Sequence, residues 1–220
     1  EHTVGISLNA ARYNNPAYRN AQAPIWQEYI EQGTLAAPDT SRTISDNTIA
    51  WNHISGSYYG ISLSTVGESN IHHNHLDQNT RNLSIQNSSH NNHIHHNQLT
   101  DALSSAVHLA YGASGNRIEH NTISSDRAGG QAILQAYQGS QNNTFAYNRI
   151  DFPGDATSHF MYSATDSTGN HYHDNTASGR VRKASIGAET VWDKQAVAGE
   201  PSAYACLLYT SPSPRDRQKS

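Results

Sequence analysis

Fourteen histidines in a chain of 220 residues are the first chemical feature to explain. His72, His95, Glu119 and His173 recur at steps of 23 to 27 residues, or two steps in one case, and His73, His96 and His120 follow them by one position. A neutral imidazole offers a lone pair to a metal, and it titrates close enough to neutrality to take a proton from a substrate. His108 stands apart from this series, among small and apolar residues. Which chemistry is open to each histidine depends on what the intervening residues build.

The histidines are embedded in a repeated phrase of the form apolar-x-x-Asn-x-apolar. It reads Ile71-His-His-Asn74-His-Leu76, Ile94-His-His-Asn97-Gln-Leu99, Ile118-Glu-His-Asn121-Thr-Ile123, Phe145-Ala-Tyr-Asn148-Arg-Ile150 and Tyr172-His-Asp-Asn175-Thr-Ala177. A sixth copy around Asn47 overlaps a seventh around Asn52. Self-similarity at this period is the mark of a solenoid. Between the phrases lie short alternating segments such as Gly60-Ile-Ser-Leu63 and Ala106-Val-His-Leu109, the period-2 pattern of strands with one buried face. Small polar runs ending in Asn70, Asn92, Asn116 and Asn170 then read as turns, with Gly and Asn supplying positive φ.

Coils of parallel strands stack about 4.8 Å apart. A side-chain amide inside the turn can then donate to one neighbouring coil and accept from the other. Asn47, Asn74, Asn97, Asn121, Asn148 and Asn175 are accordingly predicted to form an internal ladder, structural rather than catalytic.

The expected fold class is all-β: a right-handed parallel β-helix of about 22–27 residues per coil. Residues 10–40 interrupt the repeat. Within them, 23–33 reads as a short helix with Pro24 in its first turn and Gly33 at its end. Residues 1–205 are expected to be one domain.

The tail does not belong to that pattern. Cys206-Leu-Leu-Tyr-Thr-Ser-Pro-Ser-Pro-Arg-Asp216 resembles the in-frame translation of a transposase sequencing adapter. Residues 206–220 are therefore set aside as an extraneous, disordered tail, and the chain is expected to be truncated at both ends. Without Arg215, Arg217, Lys219 and Asp216, 11 basic and 17 acidic side chains remain, a formal charge of −6. An acidic chain of this kind is a poor nucleic-acid binder, and no apolar run is long enough to span a membrane.

These residues resemble the right-handed parallel β-helix repeat proteins. That superfamily holds pectate lyase-like enzymes, polyuronide epimerases and periplasmic accessory proteins of copper enzymes. The resemblance covers residues 43–177 and implies a secreted or periplasmic protein. It carries three expectations of function. The leading one is a carbohydrate-active enzyme of lyase, epimerase or glycoside hydrolase type, acting on an acidic polysaccharide. The alternative is a non-catalytic glycan-binding or structural solenoid, as in an adhesin, phage tail or surface protein. The third is a periplasmic copper-enzyme accessory protein. The Asp-Pro-His-Asp signature of alginate epimerases and the paired aspartates of polygalacturonases are absent.

Connections into the longer strand, at 55–60, 77–82, 100–106, 124–132 and 151–160, grow from six to ten residues, and variable loops collect where function is built. In the resembling enzymes the cleft runs along that strand. Its outward column is expected to be Ser62, Ser84, His108, Leu134 and Tyr162, with Tyr58, Tyr59, Tyr111, Tyr137 and His159 flanking as substrate contacts. Breaking or inverting a polyuronide needs a base, a cation at the carboxylate and an acid. His108 is assigned as base, Arg127 as cation and Tyr162 as acid. An acidic protein on an acidic polymer also points to Ca²⁺ as a possible cofactor.

The histidine columns fall on the tight-turn side, away from those loops, and Ala146 interrupts one of them. No metal motif such as His-Glu-x-x-His is present. Solvated surface is thus preferred over a metal centre, with His72, His95 and Glu119 the nearest candidates for one. Stacked imidazoles repel once protonated, so stability is expected to fall below about pH 6.

Overall fold

The computed structural model describes residues 3–9, 43–125, 132–152, 159–164, 166–179, 191–193 and 196–197. Among them every regular element is a β-strand, and every pairing between strands is parallel. The chain winds as a β-solenoid whose coils each contribute one strand to each of three sheets.

The first sheet holds the long strands Val4–Asn9, Tyr59–Ser64, Arg81–Gln86, Ser105–Leu109, Ala132–Ala136 and His159–Ser163. The second stacks Thr48–Ala50, Asn70–His72, His93–His95, Arg117–Glu119, Thr144–Ala146, His171–His173 and Val191–Asp193. The third stacks His53–Ser55, His75–Asp77, Gln98–Thr100, Thr122–Ser124, Arg149–Phe152, Thr176–Gly179 and Ala196–Val197. The helix expected at 23–33 and the tail at 206–220 lie outside the described residues.

In-register pairing places like residues on like, so the core consists of aliphatic columns. Ile49, Ile71, Ile94 and Ile118 continue into Phe145 and Tyr172, whose rings lie 4.5 Å apart and within 2° of parallel. Leu76, Leu99, Ile123 and Ile150 form the column of the third sheet. All of these side chains are buried. Each removes roughly 1.5–3 kcal/mol worth of apolar surface from water.

Two amide ladders, not one, line the turns. In the first, Nδ2 of Asn52, Asn74, Asn97, Asn121 and Asn148 each donates to Oδ1 one coil further on, at 2.8–3.0 Å, ending at Asn175. The same amides reach back to backbone carbonyls of the previous coil, as from Asn97 to Ile71 at 2.9 Å. The second ladder runs through Ser69, Asn92, Asn116, Asn143 and Asn170 at the preceding corner. Asn47 belongs to it: its backbone N–H donates to Ser69 Oγ at 3.1 Å. Asn52, from the overlapping phrase, therefore takes the first-ladder place expected for Asn47.

The positive φ of these turns falls on Gly and Asn, as expected. Asn91, Gly115 and Gly169 adopt it, while Asn92, Asn116 and Asn170 keep their amides inside. Likewise Trp51, His73, His96, His120, Tyr147 and Asp174 take the left-handed conformation before each first-ladder Asn. Left-handed non-glycine residues are uncommon. Here the ladder that begins at the next residue holds them, and their side chains lie outside the coil.

Candidate functional site

Two surfaces hold the chemistry-bearing side chains. The first is the ridge at the corner between the second and third sheets. Five rings stack along it, from Trp51 to His73 (4.4 Å), His96 (5.4 Å), His120 (5.4 Å) and Tyr147 (5.0 Å). Trp51 is 75% exposed and Tyr147 50%, so the ridge faces solvent.

Beside it, half-buried at the ends of the second-sheet strands, His72 and His95 stack at 5.2 Å. Strand register sets this pair, because His72 is the partner of His95. The left-handed residue then turns each ridge imidazole back toward its sequence neighbour. His72 Nδ1 lies 2.8 Å from His73 Nδ1, and His95 Nδ1 lies 2.8 Å from His96 Nδ1. In each pair one nitrogen donates and the other accepts.

Two imidazole nitrogens at that separation are spaced like adjacent corners around a transition metal with bonds of about 2.0–2.1 Å. The shared proton would have to leave before both nitrogens could bind one cation. Among the described residues no three of His, Cys, Asp and Glu converge to hold one ion. Each pair thus presents two imidazole nitrogens with no third such side chain converging on them among the described residues.

Glu119 does not join His72 and His95. Its carboxylate accepts from Arg117 Nε and Nη2 at 3.1 and 2.8 Å, and pairs with His93 Nε2 at 3.3 Å. Burial, and then the charges of His93, His96, His72 and His73, push His95 down to about 4. Burial followed by Arg117 lowers His93 as well. The neutral, lone-pair-bearing form of His95 thus prevails near neutral pH.

The second surface is the outward face of the long-strand sheet. Ser62, Ser84, His108 and Tyr162 share one register column as expected, but the fourth-coil member is Gln135 rather than Leu134. Leu134 stacks on Val107 and is fully buried, because the apolar pair Ile133-Leu134 shifts the alternation by one. His108 is only 4% exposed, and Ser62 and Ser84 are buried too. His108 Nδ1 is 2.8 Å from Gln135 Oε1, and since the amide oxygen only accepts, Nδ1 carries the proton. Burial, with Arg81 as the next cause, pushes His108 down to about 3.

Rings continue the line from His108 to Tyr137 (6.4 Å) and from Tyr137 to Tyr162 (6.2 Å). Tyr58 and Tyr59 meet edge to face at 4.7 Å, and the Arg81 guanidinium lies over the Tyr59 ring at 5.8 Å. Tyr59 is raised by burial, against the opposing pull of Arg81, while Tyr58 and Tyr111 also act on it. Arg127 lies outside the described residues. His159 begins a long strand opposite Ala132, and its side chain is likewise outside them.

Arg81 is the residue that sequence reasoning overlooked on this face. It sits at the junction of a variable loop and a strand, a position that only the pairing with Tyr59 and Ser105 reveals. On the ridge the overlooked feature is pairing within each His-His dipeptide, for which the left-handed φ of the second histidine was the missing signal.

Residues 23–201 match the family model described as periplasmic copper-binding protein (NosD). Comparison with curated proteins and with solved structures gives no match. No helix among the described residues is long and apolar enough to cross a membrane.

Proposed function

Because the chain belongs to the periplasmic copper-binding (NosD) family, we propose that it is a periplasmic copper-enzyme accessory protein that handles copper as exchangeable cargo on its histidine ridge. The observation that carries this reading is the repeated Nδ1–Nδ1 pair, His72 with His73 and His95 with His96, on consecutive coils. Imidazole suits copper, and two donors leave coordination positions open for a partner that delivers or collects the ion. Calorimetric titration with Cu(II) tests it. The intact protein should bind, and replacing His72, His73, His95 and His96 by Ala should weaken binding at least 100-fold. Unchanged affinity in that variant would defeat the reading.

A second reading keeps the long-strand face as a glycan site, for an enzyme of lyase or epimerase type or for a binding module. Arg81 favours it, as a cation near His108 and among Tyr59 and Tyr58. In that scheme Arg81 or Arg127 meets a carboxylate, Tyr162 or Tyr137 serves as acid, and His108 as base. The burial of His108 and its pull toward about 3 weigh against the base role. Incubation with alginate and pectate, followed in the ultraviolet for unsaturated ends, tests it. Product that disappears in Arg81→Met would support this reading, and no product or binding would remove it.

A further inference from the structure

Resting on the copper-handling reading, we propose that the two histidine pairs are unequal, and that Asn70 makes His95–His96 the first copper station by fixing the tautomer of His95. Asn70 is a positioning residue here, since it touches no cargo.

The geometry is a diagonal contact between coils. Asn70 starts a second-sheet strand, and its Oδ1 lies 2.8 Å from Nε2 of His95, which ends the next strand of that sheet. An amide oxygen only accepts, so His95 Nε2 carries the hydrogen. In the neutral ring Nδ1 is then bare, and it is this Nδ1 that faces His96 at 2.8 Å. His96 Nδ1 must be the donor of that bond. A hydrogen bond on the far nitrogen both orients a metal-binding imidazole and raises the basicity of the nitrogen that binds.

The same diagonal recurs one coil on, where His93 starts its strand and reaches Glu119 at 3.3 Å. There it engages a carboxylate already held by Arg117, and no copper pair results. One coil earlier the starting position is Thr48, opposite Asn70 in register. Among the described residues its shorter side chain makes no bond to His72. The His72–His73 pair therefore shares its proton without an external acceptor to choose which ring donates.

Loading the first station balances simply. Cu(II) takes the lone pair of His95 Nδ1. The Nδ1 proton of His96 leaves to water, a proton returns to His96 Nε2 on the exposed side, and Nδ1 becomes the second donor. Both rings end neutral and no net proton is released. At His72–His73 either ring can start as donor, so in part of the population the half-buried ring of His72, not the exposed ring of His73, must move its proton.

Two measurements on the full chain test this. Long-range ¹H–¹⁵N NMR of the metal-free protein should show His95 as the Nε2–H tautomer. Chelator competition with Cu(II) should then resolve a tighter and a weaker site, and Asn70→Ala should weaken the tighter one about 10-fold with the stoichiometry unchanged. Asn70→Asp, which keeps an acceptor, should restore it, and thermal melts of both variants check that the coil is intact. An Nδ1–H His95, or an Asn70→Ala variant with unaltered affinity, overturns the station while leaving copper binding standing. No copper binding by the parent protein, with the Nε2–H tautomer present, overturns the copper reading and the station together.

Discussion

The ridge and the long-strand face use the same side chain to opposite ends. His95 ends a strand and His96 takes the corner after it, with Nδ1 directed at Nδ1 and solvent beside His96. His108 sits mid-strand, closed off and bonded to Gln135. Position in the coil makes the difference. A strand interior surrounds an imidazole with neighbouring coils and desolvates it, whereas a left-handed corner residue projects outward and touches adjacent coils only through stacked rings. The histidine that stood out in the sequence as a base is buried by the fold, while His73 and His96, set aside as surface, are exposed.

The largest effect expected from breaking this contrast comes on the ridge. Removing both pairs should abolish copper binding by 100-fold or more, while His108→Ala leaves copper affinity within two-fold of the parent protein. A comparable loss in both variants would erase the distinction between the surfaces.

Next in size is the ladder that holds the ridge residues in their left-handed corners. Asn121 donates to Asn148 and to the Ile94 carbonyl, and it accepts from Asn97. Asn121→Ala removes those bonds and takes away the acceptor of the buried Asn97 backbone N–H. It should cost about 2–4 kcal/mol in chemical denaturation. A loss under 0.5 kcal/mol would show that the ladder is not what supports the corners.

A smaller effect separates the surfaces by pH. His108 is held near 3 when folded, against 6.5 for a free imidazole. Above pH 6.5 it is neutral in both states and its contribution to stability is complete. Below 6.5 the unfolded chain takes up a proton that the folded chain refuses, so stability falls as pH drops toward 3. At pH 5 the loss from His108 should be about 2 kcal/mol. His95, held near 4, pulls in the same direction. His108→Gln, which can still donate to Gln135, should flatten most of this dependence in melts between pH 7.5 and 5. A variant as pH-sensitive as the parent would place the titration on the ridge instead.

The smallest effect is optical. Trp51 stacks on His73 at 4.4 Å, so copper at the His72–His73 pair should quench its fluorescence. Trp51→Phe should remove that quenching and change affinity less than two-fold. Full quenching retained in that variant would assign the signal to another tryptophan.

How far the sequence could be read follows from the same physics. The Asn phrase is legible because in-register stacking demands the same residue in every coil, and hence a period. Register was harder at Ala132-Ile-Leu-Gln-Ala136, where two adjacent apolar residues leave the inward one undetermined. Leu134 won because it continues the column of Val107 and Leu83. Asn47 and Asn52 compete in overlapping phrases, and pairing partners alone sort them between the two ladders. The Asn70–His95 contact joins residues in neighbouring coils, beyond the reach of any local pattern.

The most direct test of the central claim is a Cu(II) titration of the full chain in which paramagnetic broadening of the assigned imidazole signals is followed. The account predicts that His95 and His96 broaden first and His72 and His73 next, with His108 sharp throughout. Early broadening of His108, or uniform broadening of all exposed histidines without saturation, would contradict it.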